Sequence, residues 1–377
     1  MENFSLTDIK KKNLSDVYHH IYTHPGSSKQ SIATALTMSL PTVTQHLTTL
    51  LNHQLIEKCG QLSSTVGRKA AAYQVIPTAK IAVGIEILPN KIYIVALNLY
   101  GKKEAKEKFE LNFRPADTYF EELRNIVVTF LEKYHYNEEQ ILGIGLGIQG
   151  LTSRDGKTVT YGKILDCTGL SIESFAEYFS VPCKFIHDSE CASNSELWEN
   201  PSFTDAIYLS LGYHLGGAII IDRKLQNGLT GKTDTFEHKT LIPDGIDCYC
   251  GKQGCAECYC SGTSLLEPQM ELDDFFIQKD QGNSLYQQKW ESFLSHLSML
   301  INNLHMVIES TIILGGHITP YLTEKDLAFI RKTVFDRSTF KDSTDYIVTG
   351  KCRSDAVSIG SALPFIQKFL SEFALQN

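Results

Sequence analysis

Five of the ten cysteines in this 377-residue chain fall between positions 248 and 260. The N-terminus, MENFSLTDIKKKNLSDVY, has basic residues but no apolar stretch behind them. No secretory signal is therefore expected, and a cysteine cluster in such a chain points to a metal rather than to disulfides. The pattern is His238 followed by Cys248-x-Cys250-x4-Cys255. Zn²⁺ favours four tetrahedral ligands drawn from thiolate and imidazole, and a Cys3His set leaves no position for water. A structural zinc on His238, Cys248, Cys250 and Cys255 is expected, with Gly251 and Gly254 letting the chain turn tightly around it. Cys258 and Cys260 are extra sulfurs that could substitute. The competing reading, reduced cysteines in a turn, sits poorly with this density.

Hydrophobic residues make up 42% of the chain and charged residues 21%, which is ordinary globular composition. At roughly 100–200 residues per domain, two or three domains are expected. No apolar run approaches the ~18 residues of a membrane span. A cytoplasmic protein with no membrane partner is expected. The net charge of −8 argues by itself against nucleic acid. Its distribution argues the other way. Residues 1–80 hold eight Lys/Arg against four Asp/Glu, and the remainder holds 27 against 39. A basic head on an acidic body is the pattern of a small DNA-binding unit joined to a larger domain.

Within residues 14–24, Leu14, Val17, Ile21 and Tyr22 share a helical face, and Pro25-Gly26 ends the helix. Ser28 can cap a second helix, with Ile32, Ala33 and Leu36 inward. Ser39 can cap a third, with Pro41 in its first turn and Val43, Leu47, Leu50 and Leu51 at helical spacing. Only Thr37 to Ser39 separate these two helices, which is helix-turn-helix spacing. The third helix then turns Pro41, Thr42, Thr44, Gln45 and Thr48 outward, small or hydrogen-bonding groups that can enter a major groove. The segment after it reads as two strands around a polar tip. Gly67, Arg68 and Lys69 at that tip could reach phosphates or a narrow minor groove. The alternative is a small helical packing module whose head contacts protein.

From Ile81 onward the texture changes to alternating strands and helices, implying an α/β body, expected as two lobes. Strands are expected in IAVGIEI, KIYIVALNLYG, ILGIGLGI and VPCKFIH. AIYLSLGYHLGGAIII reads as a glycine-interrupted hairpin. Helices are expected near 117–134, 284–308 and 355–370. A duplication of lobes is possible, but no repeat is visible.

The spacing His238…Cys-x-Cys-Gly-x-x-Gly-Cys-x-Glu resembles the signature of the ROK family (repressors, open reading frames and sugar kinases), and the resemblance extends over nearly the whole chain. Residues 28–75 resemble that family's winged helix. GIQGL resembles its Pro-Gly loop, with Gln149 in place of Pro. IHDSECASNSE resembles its Asn-Asp-Ala-Asn segment, which places Asp188 on the catalytic base and His187 on the preceding Asn. SLGYHLGGAII resembles its second phosphate loop. The resemblance implies a winged helix-turn-helix over 1–80 and a two-lobed actin/hexokinase-like body over 81–377. Lobe one is expected over about 81–190 plus 361–377, and lobe two over about 191–360. It also implies a bound zinc and a homodimer or homotetramer on double-stranded operator DNA. The implied effector contacts are Gly150, His187, Asp188, Thr235, Glu237, His238 and Glu257.

Kinase chemistry is not expected. Phosphoryl transfer needs backbone N–H groups and Mg²⁺ around the ATP phosphates. The family's kinases carry Asp-x-Gly-Gly-Thr after the first strand, where this chain reads Gly84-Ile-Glu-Ile-Leu-Pro-Asn-Lys91. Leu88 and Pro89 replace the glycines, and Pro89 supplies no N–H. His214 stands where the second loop has glycine. Asp188 is then free to accept from sugar hydroxyls, or simply caps the helix it begins. The family's sugar-binding Glu becomes Thr235, and Glu237 lies two positions away. An unusual sugar, a phosphosugar attracted by His187, or no small ligand at all remain open. The expected function is a carbohydrate-gene regulator, with a sugar kinase bearing a DNA-binding head as the alternative.

Overall fold

Ser28 and Ser39 start the two short helices of the head. In the computed structural model, which describes residues 6–62, 70–226, 228–229, 231–352 and 355–373, Ser28 Oγ accepts from Ser31 N at 3.1 Å. Ser31 Oγ in return accepts from Ser28 N at 2.9 Å, a reciprocal cap that satisfies two otherwise orphaned donors. Ser39 Oγ accepts from Thr42 N at 3.3 Å. These caps fix α2 (Lys29–Ala35) and α3 (Leu40–Asn52), with α1 (Leu6–Thr23) packed across them. α1 begins well ahead of the expected residue 14; Lys10, Lys11 and Lys12 are exposed and gave no apolar period by which to place that first part of the helix. Between α2 and α3, Thr37 takes φ 53°, a left-handed turn held by a non-glycine residue. Val17, Tyr18, Ile21, Ile32, Val43, Leu47 and Leu50 form the core of the head. A small sheet closes it, with β1 (Ser27–Ser28), β2 (Ile56–Leu62) and β3 (Ala70–Val75) in the order β1-β3-β2. Gly67, Arg68 and Lys69 lie outside the described residues.

The body contains two five-stranded sheets. The first is built from β4 (Ile81–Ile87), β5 (Lys91–Asn98), β6 (Lys103–Glu110), β7 (Ile141–Ile148) and β10 (Cys183–His187). A short hairpin, β8 (Leu151–Thr152) and β9 (Val159–Tyr161), lies between the last two. The order is β10-β7-β4-β5-β6, with β4, β5 and β6 antiparallel and β7 and β10 parallel to β4. α4 (Asp117–Lys133) and α5 (Glu173–Ala176) accompany it, and the aromatic rings of Tyr119, Phe120, Phe130, Phe175 and Phe185 fill the layer between.

The second sheet repeats that plan. β11 (Ala206–Leu211), β12 (Leu215–Ile221) and β13 (Lys224–Leu225) are antiparallel, while β14 (Thr311–Gly315) and β15 (Ile347–Thr349) run parallel to β11. Its order, β13-β12-β11-β14-β15, matches the first sheet strand for strand. The duplication that leaves no repeat in the sequence is therefore present in the topology. α7 (Glu257–Cys260), α8 (Leu272–Asp280), α9 (Ser284–His305) and α10 (Glu324–Arg337) belong to this half, whose core includes Phe275, Phe276, Trp290 and Phe293.

Two helices lie between the halves. α6 (Asp188–Glu199) leaves β10 and packs against α11 (Ala356–Ser371), which crosses the first sheet. Glycines set that approach. A Cβ on Gly84 would fall 1.9 Å from Ser358 O, and one on Gly145 would fall 1.9 Å from Ser361 O. Glu196, buried in α6, accepts from Lys351 N at 2.7 Å and Cys352 N at 3.0 Å, tying α6 to the segment that leads into α11.

Candidate functional site

His238 ends a short 3-10 turn (Phe236–His238), and the cysteines follow in a loop that folds back on it. Cys248 N donates to Lys252 O at 2.8 Å, and Gly251 N to Cys248 O at 2.9 Å, which closes a tight turn at φ 88° for Gly251. Gly254 has no room for a side chain, since a Cβ there would meet Ile242 O at 1.7 Å. The donor atoms of His238, Cys248, Cys250 and Cys255 all lie within 4.8 Å of one another. Cys250 Sγ is 3.7 Å from Cys255 Sγ, and Cys248 Sγ is 3.8 Å from His238 Nδ1. A tetrahedron with metal–sulfur bonds of about 2.3 Å has sulfur–sulfur edges of roughly 3.8 Å. The four residues fit a tetrahedral ion. Cys258 Sγ points instead at Asp247 O, 3.6 Å away, and Cys260 is buried in the apolar core of the second half.

His238 also faces a cavity between the two halves of the body. His238 Nδ1 turns toward the thiolates, while Nε2 lies 4.0 Å from Glu237 Oε1. Gln149, Gly150 and Leu151 line the cavity from the first half, and His187 and Asp188 line it at the start of α6. His214 to Gly216 and Tyr249 complete it from the second half. About 40 Å³ is open to the centres of water-sized atoms, a few waters' worth at roughly 10–15 Å³ each. Tyr249 narrows the cavity, its ring edge-on to both His238 (5.2 Å) and His214 (5.9 Å).

Glu237 is the buried acid of this cavity. Burial pushes its carboxyl up to about 8, and Oε2 has no hydrogen-bond partner among the described residues. An unpartnered buried oxygen facing a polar cavity is a place for a ligand hydroxyl. Asp188 is the first residue of α6, and the N-cap position before it, His187, makes no side-chain cap bond. Asp188 Oδ1 accepts from Ser189 N at 2.8 Å at the helix start, and the residue still lines the cavity. His187 Nε2 is 3.2 Å from Asp188 Oδ1.

Five of the seven expected effector residues, Gly150, His187, Asp188, Glu237 and His238, line one cavity. Thr235 and Glu257 do not. Thr235 Oγ1 donates to Lys232 O at 3.3 Å. Glu257 is spent on the protein itself, with Oε1 2.7 Å from His214 Nδ1 and Oε2 accepting from Leu215 N at 2.8 Å. A histidine at 214, where the family has glycine, supplies the donor that captures this acid. Tyr161, Lys163 and Tyr249 also line the cavity and were not anticipated; sequence gives no signal for them beyond Tyr249's place between two ligands.

Where ATP phosphates would be cradled, the backbone is occupied by its own fold. Leu88 N donates to Lys91 O at 3.0 Å, and Pro89 O and Asn90 O accept from Phe113 N and Leu111 N. Glu86, in the same stretch, is buried with Oε2 unpartnered, and burial pushes it up to about 8.

In the head, Pro41, Gln45 and Thr48 are exposed and Thr42 and Thr44 half-exposed on one side of α3, as expected. The threonine hydroxyls fold back on the helix, with Thr44 Oγ1 donating to Leu40 O at 2.7 Å and Thr48 Oγ1 to Thr44 O at 2.9 Å. Their methyl groups and the Gln45 amide are left to face outward.

Residues 82–367 match the ROK family. The chain belongs to the ROK family. The xylose repressor of Caldicellulosiruptor bescii is 26% identical over 264 residues, 69% of this chain and 66% of that protein. The DNA-binding transcriptional dual regulator NagC of Escherichia coli K12 is 24% identical over 331 residues, 82% of each chain. Among solved structures, a ROK family transcriptional regulator, homolog of the E. coli MLC protein, superposes with a TM-score of 0.76 at 18% identity over 96% of both chains. A ROK family glucokinase from Streptomyces griseus gives 0.65 at 21% identity over 98% of its own length but 75% of this ROK chain. The body thus has the ROK kinase fold, and the match to the regulator runs on through the head. No helix among the described residues is long and apolar enough to cross a membrane.

Proposed function

We propose that this ROK protein is a transcriptional repressor of carbohydrate-related genes. Residues 1–80 bind operator DNA, and the body over 81–377 takes a sugar or sugar-derived effector without phosphorylating it. The observation that carries this reading is α3. It stands in a capped helix-turn-helix with an outward face of Pro41, Thr42, Thr44, Gln45 and Thr48, on a chain whose named relatives are repressors. In this reading Gly67, Arg68 and Lys69, outside the described residues, add contacts to DNA, the two cations to its phosphates. A homodimer or homotetramer in the cytoplasm presents paired heads, with recognition helices roughly 34 Å apart for successive major grooves.

A structural zinc on His238, Cys248, Cys250 and Cys255 supports the effector cavity. The ion supplies a rigid anchor for the loop carrying Glu237 and Tyr249. The chain's own residues do the recognition, with the unpartnered Glu237 Oε2 and Asp188 meeting hydroxyls. An effector that prefers one arrangement of the two halves shifts the head equilibrium by its differential affinity. The self-bonded turn at Leu88–Lys91 supports the absence of kinase activity.

The test is a gel shift of the full chain against genomic fragments at low salt, with Gln45→Ala and Arg68→Ala/Lys69→Ala variants. Sequence-selective retardation, weakened by Gln45→Ala and released by one member of a sugar panel, is expected. No retardation, or hexose-dependent ATP consumption in a coupled assay, overturns the reading.

A further inference from the structure

A second cavity lies on the other side of α6 from the effector cavity. α6 separates them: Asp188 faces the first, while Glu190, Asn194 and Leu197 face the second. It is an open hollow of about 480 Å³, against about 40 Å³ for the cavity beside the metal loop. Four cations border it, Arg154 after β8, Lys184 on β10, Arg223 between β12 and β13, and Lys224 at the start of β13.

Arg223 is committed to the fold. Its guanidinium donates to Leu197 O, Asn200 O, Pro201 O and Phe203 O at 2.6 to 3.2 Å, where it caps the C-terminal end of α6. Arg154, Lys184 and Lys224 are not committed. They are exposed, and none has a carboxylate partner among the described residues. Three like charges from three separate elements, gathered around one hollow, repel one another unless an anion joins them. Glu190, the one acid among the described residues that line the cavity, makes no ion pair with any of the three. Thr152 and Gln367 add neutral hydrogen-bonding groups at the wall.

We propose that this cavity binds a small phosphomonoester, with Arg154, Lys184 and Lys224 on the phosphate and Thr152 and Gln367 on a hydroxylated remainder. Arginine and lysine converging on one oxyanion give charge-assisted bonds about twice as strong as neutral ones. Arg154 and Lys184 belong to the first half of the body and Lys224 to the second, so the bound phosphate bridges them. Gln367 lies on α11, two residues before Phe369, whose ring meets Tyr18 of the head. The site is independent of the effector cavity and does not require the head to bind DNA.

The probes are glucose 6-phosphate and inorganic phosphate, with glucose as the uncharged control, added to the full chain in thermal-shift and titration-calorimetry experiments. Both phosphates are expected to raise the melting temperature at about 10 mM, because they bind only the folded chain. Lys184→Ala/Lys224→Ala should weaken that binding by roughly tenfold or more. Arg154→Gln should do the same independently. All three side chains are exposed and repel one another, so ligand-free melting should not fall in these variants. Lys163→Ala, on the wall of the other cavity, should leave phosphate binding intact. Absence of a phosphate-dependent shift, binding retained when the cations are removed, or binding lost in Lys163→Ala overturns the proposal.

Discussion

Tyr18 of α1 lies flat on Phe373, just beyond α11, with ring centroids 4.1 Å apart and planes 11° apart. Phe369 meets Tyr18 edge-on at 6.2 Å, and nearby Tyr22 stacks on Tyr100 at 4.5 Å. At the far end of α11, Asp355 is paired with Lys103 and Lys106 of β6. One helix thus runs from the joint between the halves to the core of the head. Tyr18→Ala should cost about 3–5 kcal/mol, the usual penalty for emptying an aromatic core site. Tyr18→Phe should cost nothing or stabilise slightly, because the buried Tyr18 hydroxyl has no partner among the described residues. Urea unfolding of both variants checks this. A loss above about 1 kcal/mol for Tyr18→Phe would show that the hydroxyl has a partner.

The ligand set separates two cysteines that look equivalent in sequence. Cys250→Ser should lower zinc content well below one per chain and reduce stability by about 3 kcal/mol or more, since binding energy at such a site is folding energy. Cys258→Ser should keep full metal, because its sulfur faces Asp247 O. Plasma mass spectrometry with calorimetric melting measures both. Equal zinc loss in the two variants would place Cys258 in the set.

The metal loop and the caps were legible because their partners are local. Four donors within eighteen positions must converge if they bind one ion, and Ser28 and Ser39 bond within three residues of themselves. Gly84 and Gly145 were legible only as parts of buried strands. Their reason lies more than 200 positions away, in the carbonyls of α11. Glu257 lies off the cavity lining because a resemblance fixes position and not company, and the histidine at 214 pairs with its carboxylate. The matched order of the two sheets left no sequence period, since topology constrains hydrogen-bond pairing rather than side-chain identity.

Glu86 should give the fold a measurable pH dependence. Its carboxyl is raised from 4.5 to about 8, first by burial, then by Asp188, with Asp355 acting the same way and Lys106 and Lys91 opposing. The folded chain therefore holds a proton that the unfolded chain has released between about pH 4.5 and 8. Stability from this group falls as pH rises through that window, by up to roughly 1.4 kcal/mol per pH unit, and levels off above it. Glu86→Gln keeps the shape and removes the titration. The variant should gain on the parent chain between pH 6 and pH 8.5, as read by urea midpoints. An identical pH profile for parent and variant would mean that Glu86 is ionised in the folded chain.

The contact between α6 and α11 rests on the absence of a single carbon. A Cβ on Gly360 would sit 1.7 Å from Cys191 O, a backbone atom that no rotamer change can move. Gly360→Ala must therefore push the two helices apart. Overpacking of this kind costs about 1–3 kcal/mol or more, and here it strikes the joint between the halves rather than one core. Gly145→Ala makes a similar clash, 1.9 Å from Ser361 O, but between α11 and the first sheet alone. Both variants should melt lower. If α11 carries the signal, Gly360→Ala should also alter how far the effector changes DNA affinity, because α6 bears Asp188 at one end and packs on α11 along its length. Gly145→Ala should lose stability with a smaller change in that response. DNA titrations with and without effector, run beside thermal melts, separate the two. An unchanged effector response in Gly360→Ala would remove α11 from the path between cavity and head.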